Sequence, residues 1–127
     1  DLTVVTAETD PAGGYAAAME LLARPDRPTD IFCFNDRLAM GAYRAAAELG
    51  LRIPDDLSVV GFDNQEYVAD GIFPGLTTIE LPHFDMGVWA AEQLFARIDD
   101  ASTVTSSEQL RGPVIHRGSV APPPRSP

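Results

Sequence analysis

Short apolar runs alternate along the chain with longer stretches of helical periodicity, and two of the apolar runs are organised in the same way. Asp30–Phe34 and Leu57–Phe62 have the length and composition of strands buried on both faces of a parallel sheet. Polar residues follow at once, Asn35 after the first run and Asp63 after the second. In open α/β sheets, ligands bind beyond the carboxyl ends of the strands. The pattern therefore indicates Asn35 and Asp63 as candidate ligand contacts.

The stretch that joins these two runs predicts a helix over Asp36–Leu49. Asn and Asp are residue types that cap helices, and Gly50 is a typical helix stop. Gly41 would let the helix approach the sheet closely, because it has no side chain. It lies beside a narrow apolar stripe that is spaced to face a core, formed by Leu38, Ala42, Ala45 and Leu49.

A second apolar face lies roughly opposite the first and consists of Met40, Tyr43 and Ala47. A helix that covers a sheet in a monomer needs only one apolar face. The second face therefore has two explanations, which the pattern leaves open. Either it contacts another protein surface, or the helix is buried on both sides by its own chain.

The rest of the chain continues the alternation, which predicts an α/β fold with a largely parallel sheet. We expect a strand at Leu2–Ala7 and then a helix that Asp10 caps and that runs to about Ala23. The later predicted elements are a helical turn at 65–70, a strand at Leu76–Leu81 and a helix at Phe84–Ile98. Gln109–Leu110 and Pro113–Val120 are predicted to form a final strand pair or a bent strand. Residues 121–127 include four prolines and are expected to form a flexible tail.

The composition is that of one globular domain, with 45% hydrophobic and 22% charged residues in 127 positions. The net charge is −10 and no basic cluster is present, so we do not expect this chain by itself to bind DNA. No apolar run reaches the length of a membrane span, and nothing speaks for secretion. The single cysteine, Cys33, lies in a predicted buried strand and is expected to be a core residue.

Three segments resemble the LacI/GalR family of bacterial transcription regulators, in the same order and at matching intervals. They are Phe34–Ala42, Gly50–Asn64 and Phe73–Ile79. The resemblance extends from about Leu2 to Val120. It implies a flavodoxin-like lobe of a periplasmic-binding-protein-like fold, α/β with a three-layer, doubly wound and mostly parallel sheet. Residues 1–120 resemble only the later part of the family's effector-binding and dimerisation domain, so we expect the lobe to be incomplete.

The segments that are missing relative to the family have physical consequences for the sheet. In the flavodoxin-like order, Leu2–Ala7 would be strand 2 and Asp30–Phe34 would be strand 3. Their shared neighbour, strand 1, has no counterpart in this chain. We therefore expect open sheet edges, and we do not expect these two segments to be neighbours. The helix over 83–98 is expected to pack on the family's first lobe, which also has no counterpart here.

In the family, the positions that match Asn35 and Asp63 contact a small effector, typically a sugar or a nucleobase. Asp accepts hydrogen bonds and Asn both donates and accepts, which suits the hydroxyls of a sugar or related polyol. Each residue also has an ordinary explanation, a helix cap for Asn35 and a turn residue for Asp63. Thr9 stands where the family often places an aromatic platform. Threonine cannot stack on a ring, so the effector class stays open.

The resemblance implies a cytoplasmic homodimer that reads operator DNA through an N-terminal helix-turn-helix, which this chain does not contain. Effector binding would close the lobes, change the dimer geometry and so change the spacing of the two DNA-reading heads. A periplasmic sugar-binding protein of an uptake system is the alternative, although Ile53–Asn64 resembles the regulators more closely. The expected dimer contacts are Met40, Tyr43, Ala47, Ile72 and Phe73.

The sequence offers little for catalysis. His83 and His116 are isolated, and no H-E-x-x-H, C-x-x-C or G-x-S-x-G motif is present. The acidic pairs Asp55-Asp56 and Asp99-Asp100 are typical of solvated turns. We therefore expect neither an enzyme nor a metal site, and no cofactor; an α/β enzyme is the weakest of the three function classes.

Overall fold

A computed structural model describes residues 2–104 and 106–122 of the chain. The chain divides into two compact units, Asp1–Glu80 with Val114–Pro127, and Leu81–Pro113. In chain order the helices and strands are α1 (Pro11–Leu22), β1 (Asp30–Phe32), α2 (Asp36–Glu48), β2 (Ser58–Asp63), α3 (Glu66–Ala69), β3 (Thr77–Glu80), α4 (His83–Asp99) and β4 (Val114–Ile115).

Within the described residues, the strands form one mixed sheet in the order β1-β2-β3-β4. β1 pairs with β2 and β2 pairs with β3 in parallel, whereas β4 runs antiparallel to β3. Parallel neighbours need a crossover connection, and α2 supplies the one between β1 and β2. The predicted α/β class with a mostly parallel sheet is confirmed.

The two long helices of the first unit, α1 and α2, pack against each other through glycines. A Cβ atom at Gly14 would overlap the backbone of Leu38, and one at Gly41 would overlap the backbone of Pro11 and Tyr15. Helix backbones come this close only where side chains are missing at the contact. Gly41 therefore serves the approach of α2 to α1, and the expectation that it serves an approach to the sheet is wrong.

The core lies around α2, which packs on α1 and on β2. Three members of the predicted stripe, Leu38, Ala42 and Ala45, are buried, whereas Leu49 at the helix end is 36% exposed. Cys33 lies in the core as predicted, and burial raises the pKa of its thiol to about 12.

One face of β1 is open, although the sequence predicted burial on both faces. Phe32 and Phe34 are 62% and 71% exposed. Side chains alternate between the two faces of a strand, so both phenylalanines lie opposite buried Cys33. The prediction is wrong for this face because no described element of the first unit covers it.

Leu2–Ala7 is not a strand in this structure, which corrects the prediction. Leu2 and Val4 are 91% and 79% exposed, and the described ladders do not include this segment. The physical reason is that a strand needs a neighbour for its backbone N–H and C=O groups, and none of the described strands pairs with this segment. As expected, the segment does not pair with β1.

The predicted final strand, Pro113–Val120, is shortened to β4 at Val114–Ile115. Beyond it, buried Ser119 bonds to the other strands through both its backbone and its side chain. Its carbonyl oxygen accepts from Val59 N at 2.9 Å, and its Oγ accepts from Thr77 N at 2.8 Å. Side-chain bonding of this kind replaces a regular ladder at this position.

The second unit consists of α4 and the loop that follows it. None of the residues of α4 is buried, and Phe84 is 81% exposed. The packing of residues 83–98 on another lobe stays a prediction. Among the described residues, no helix combines the length and the apolar character that crossing a bilayer requires. Most of the predicted tail, residues 123–127, lies outside the described part of the chain.

The helix contact predicts that Gly41→Ala destabilises the protein. The new Cβ must push α1 and α2 apart, so we expect a loss of about 1–3 kcal/mol, although alanine is the better helix former. Denaturant unfolding of the full-length protein measures the loss. Ala16→Ser, at an exposed position of α1, also adds one heavy atom and is expected to cost much less. Equal stability of Gly41→Ala and the wild type would contradict the backbone contact.

Candidate functional site

Asn35 and Asp63 lie at the carboxyl ends of two neighbouring parallel strands. The described pairs of β1 and β2 end with Phe32 and Val60. Asn35 follows three residues after β1, and Asp63 is the last residue of β2. Thr9 joins them, because Asn35 Nδ2 donates a hydrogen bond to the Thr9 carbonyl oxygen at 3.3 Å. The structure thus brings together, at one edge of the sheet, the three residues that we expected to contact an effector.

Asn35 has a structural role at this edge. It is 4% exposed, and its Oδ1 accepts a hydrogen bond from Leu38 N at 2.8 Å, which makes it the N-cap of α2. Both polar atoms of its side chain are used within the chain, one by Leu38 and the other by Thr9. Its ordinary explanation as a helix cap is therefore correct in this structure.

β2 ends at Asp63, and residues 63–65 form a turn in which Asp63 and Asn64 have positive φ. Their φ angles are 110° and 52°, values that residues other than glycine rarely adopt. Such a turn persists only where the surrounding structure determines it. Asp63 is half-buried, and its Oδ2 accepts from Gln65 Nε2 at 3.0 Å.

The side chain of Asn64 is held by two charged groups. Its Nδ2 donates to Glu80 Oε2 at 2.7 Å, and its Oδ1 accepts from Arg117 Nη2 at 3.0 Å. The side chain of Arg117 is only 16% exposed. Its guanidinium also donates to Asp70 Oδ1 at 2.6 Å and to the Leu76 carbonyl oxygen at 2.9 Å. Arg117 therefore ties the turn to the segment that follows it.

Asp36, the residue after the helix cap, is fully buried beneath the turn. Its Oδ1 accepts from Thr78 Oγ1 at 2.6 Å, and its Oδ2 accepts from Gln65 N at 2.7 Å. Burial raises the pKa of this carboxyl group, although the hydrogen bonds from Thr78 and Gln65 oppose the rise.

The sequence pattern did not predict three members of this network, which are Asp36, Thr78 and Arg117. For Asp36 a signal exists: two polar residues follow β1, and one of them is enough to cap the helix. Thr78 and Arg117 have no local signal. Only the pairing of β3 with β2 and β4 brings them to the turn.

The residues expected at a dimer interface fall on α2 and on the loop before β3. Tyr43 OH donates to the Pro74 carbonyl oxygen at 2.8 Å, which links the two segments, and burial raises the pKa of Tyr43 to about 12. Tyr43 and Ile72 are half-buried, and Ala47 is exposed. Met40 and Phe73 are 37% and 95% exposed.

The chemistry available at the sheet edge is hydrogen bonding to a polar ligand. The carboxylate of Asp63 accepts hydrogen bonds. The amide groups of Asn64 and Gln65 beside it are already bonded within the chain. Within residues 2–104 and 106–122, no group of three or more His, Cys, Asp or Glu side chains is arranged to hold a metal ion.

Residues 1–120 match the model of the periplasmic binding protein-like domain family. Among curated proteins, the chain is 40% identical over 121 residues to the HTH-type transcriptional repressor PurR of Escherichia coli O139:H28. That match covers 95% of this chain and 35% of the repressor. The chain therefore spans about a third of the length of the curated relatives it matches.

Solved structures of LacI family transcriptional regulators are similar as well. The regulator from Enterococcus faecalis V583 with bound ribose is 37% identical with a TM-score of 0.82, over 93% of this chain and 43% of that chain. The regulator from Arthrobacter sp. FB24 in complex with lactose is 27% identical with a TM-score of 0.81, over 94% of this chain and 44% of that chain.

The helix cap predicts the effect of two substitutions at Asn35. Asn35→Ala removes the acceptor for Leu38 N–H and is expected to lower the free energy of unfolding by about 1 kcal/mol. Asn35→Ser keeps a capping oxygen but cannot reach the Thr9 carbonyl, and it is expected to recover most of the loss. Denaturant unfolding of the full-length variants measures both. Equal losses would show that the bond to Thr9 matters more than the cap.

Proposed function

Because the chain belongs to the periplasmic binding protein-like domain family, as part of a LacI/GalR-type effector-binding domain, we propose that it senses a small molecule and dimerises within a DNA-binding transcriptional regulator. The observation that supports this most strongly is the convergence of Thr9, Asn35 and Asp63 at one sheet edge. Ligands of open α/β sheets bind at such an edge. The protein is not an enzyme in this account.

Asp63 is the main effector contact in this proposal. Asp63 is the last residue of β2, and Gln65 Nε2 donates to its Oδ2 at 3.0 Å. Among the described residues, none donates a hydrogen bond to Asp63 Oδ1, which leaves that oxygen available for a hydroxyl group of a ligand. Asn35 and Thr9 complete the same edge.

The proposed effector is a sugar or a related polyol. Regulators of similar structure were solved with ribose and with lactose bound. Thr9 does not decide between a polyol and a nucleobase, because threonine offers no ring face for stacking to either. A nucleobase is the second class to test.

Operator DNA is contacted elsewhere in the whole protein. With a net charge of −10, this chain repels the phosphate backbone. The curated relative is an HTH-type repressor, which supports a helix-turn-helix head outside this chain and a cytoplasmic location. The same relative favours a regulator over a periplasmic sugar-binding protein, although both share the domain family.

The proposed mechanism is a shift between two arrangements of a homodimer. The effector binds one arrangement more tightly, and the difference in affinity sets how far the equilibrium moves. The dimer surface consists of the exposed parts of α2 and of the loop before β3. Its members are Met40, Tyr43, Ala47, Ile72 and Phe73.

Thermal unfolding of the full-length protein against sugars and nucleobases tests the effector site. A ligand at about a hundred times its dissociation constant adds roughly 2.7 kcal/mol of stability, so a sugar that binds raises the Tm clearly. We expect Asp63→Ala to abolish this increase. Asp56→Ala is the matched control, because Asp56 precedes β2 at the end of the strand opposite to Asp63. We expect the sugar to raise the Tm of this variant as it does that of the wild type. An increase that survives Asp63→Ala would remove Asp63 from the site.

Sedimentation of the full-length protein tests the dimer surface. Phe73 is 95% exposed, so Phe73→Asp should leave the fold intact. Placing a carboxylate in an apolar interface is expected to raise the dimer dissociation constant at least about tenfold. Val104→Asp is the control, because Val104 is 89% exposed and lies outside the proposed surface. Unchanged association of Phe73→Asp would exclude this surface.

A further inference from the structure

We propose that Asp36 is a positioning residue, whose buried carboxylate holds the turn that presents Asp63 to the effector. Asp36 is completely buried, so it does not itself reach a ligand in this structure. The expected effect of Asp36 on effector binding rests on the proposed function, because Asp63 is the residue that Asp36 positions. The contacts of Asp36 with the turn do not depend on that function.

The backbone of the turn is bonded to Asp36 directly and through one intermediary. Gln65 N–H donates to Asp36 Oδ2 at 2.7 Å. Thr78 Oγ1 donates to Asp36 Oδ1 at 2.6 Å and accepts from Asn64 N at 3.4 Å. Of the two consecutive amide groups after Asp63, that of Gln65 donates to the carboxylate, and that of Asn64 donates to the threonine hydroxyl that is bonded to the same carboxylate. Hydrogen bonds to an ionised acceptor are the stronger kind.

Capping of α2 does not explain the carboxylate. Asn35 already serves as the N-cap, and Asp36 is the first residue of the helix proper. A charge near a helix N-terminus is favourable at the surface, whereas burying it is costly unless hydrogen bonds compensate. The compensating bonds of Asp36 go to Thr78 on β3 and to Gln65 in the turn.

The sheet leaves room for this carboxylate at Gly61. A Cβ atom at Gly61 would overlap Asp36 Oδ1. Gly61 lies in β2, two residues before Asp63, so the missing side chain lets the carboxylate lie against the strand whose end it holds. β2, the start of α2 and the turn therefore all contact the Asp36 carboxylate.

The turn needs such a constraint because of its backbone conformation. Asp63 and Asn64 both have positive φ, which disfavours the turn for residues with a side chain. Glu80 and Arg117 hold the side chain of Asn64, whereas Asp36 and Thr78 hold the backbone. Without Asp36, the backbone is free to relax and to carry the Asp63 carboxylate away from the edge.

Hydrogen exchange of the effector-free, full-length protein tests the proposal without a ligand. In Asp36→Ala, the amides of Asn64 and Gln65 are expected to exchange at least about tenfold faster, while α2 and β1 keep their protection. Asp36→Asn keeps an acceptor for Gln65 N–H and should restore most of the protection. Asp56→Ala is the control, because Asp56 also accepts a backbone N–H, from Arg52 at 2.9 Å, but before β2 rather than after it.

A second variant keeps the test decisive if Asp36→Ala does not fold. Thr78→Val preserves the shape of the side chain and removes the hydroxyl between Asp36 and Asn64. It should expose the Asn64 amide to faster exchange. Unchanged protection of the turn in either variant, or an equal loss throughout α2 and β1, would overturn the positioning role.

A double-mutant cycle with D-ribose as the probe tests the consequence. Asp36→Ala should lower the affinity of the full-length protein for D-ribose about as much as Asp63→Ala does, and should add little in the Asp63→Ala background. Full additivity would show that Asp36 does not act through Asp63. If D-ribose does not bind the wild type, the ribose form of the proposed function fails, and hydrogen exchange still decides the role of Asp36.

Discussion

The carboxyl end of the sheet depends on one buried group, the carboxylate of Asp36. It receives hydrogen bonds from β3 and from the turn after β2, and it lies where Gly61 leaves space against β2. A buried charge is tolerated only when such bonds are complete. Because donors from separate segments meet there, the helix start and two strand ends must be in register before the group is satisfied. The parallel pairing of β1 with β2 puts the strand ends that lead to Asn35 and Asp63 at the same edge of the sheet.

Arg117 connects this end of the sheet to the proposed dimer surface. Its guanidinium bonds both Asn64 in the turn and Asp70 in the following segment. That segment leads to Ile72 and Phe73, and the next residue, Pro74, accepts the hydroxyl of Tyr43 on α2. The proposed effector edge and dimer surface are therefore parts of one continuous network of contacts within the first unit. Coupling between sites requires contiguous contacts of this kind or a shared equilibrium.

Local patterns predicted the elements that carry their own signals. Asp10 and Asn35 cap α1 and α2 as expected, and Gly50 ends α2 with a φ of 69°. Long-range contacts could not be predicted. The role of Gly41 depends on the path of α1, and that of Arg117 on its place after β4. The open face of β1 and the unpaired Leu2–Ala7 differ from the prediction for a related reason. An apolar pattern shows that a segment is suited to form a strand, but it does not show whether another element is there to pair with that strand or to cover it.

The most direct test of the central claim is a crystal structure of the full-length protein with the compound that raises its Tm most. We expect the compound to lie at the carboxyl ends of β1 and β2, with a hydroxyl group within hydrogen-bond distance of Asp63. Asp36 should still accept from Gln65 N and Thr78 in that complex. A compound bound away from this edge, with Asp63 still bonded only to Gln65, would contradict the account.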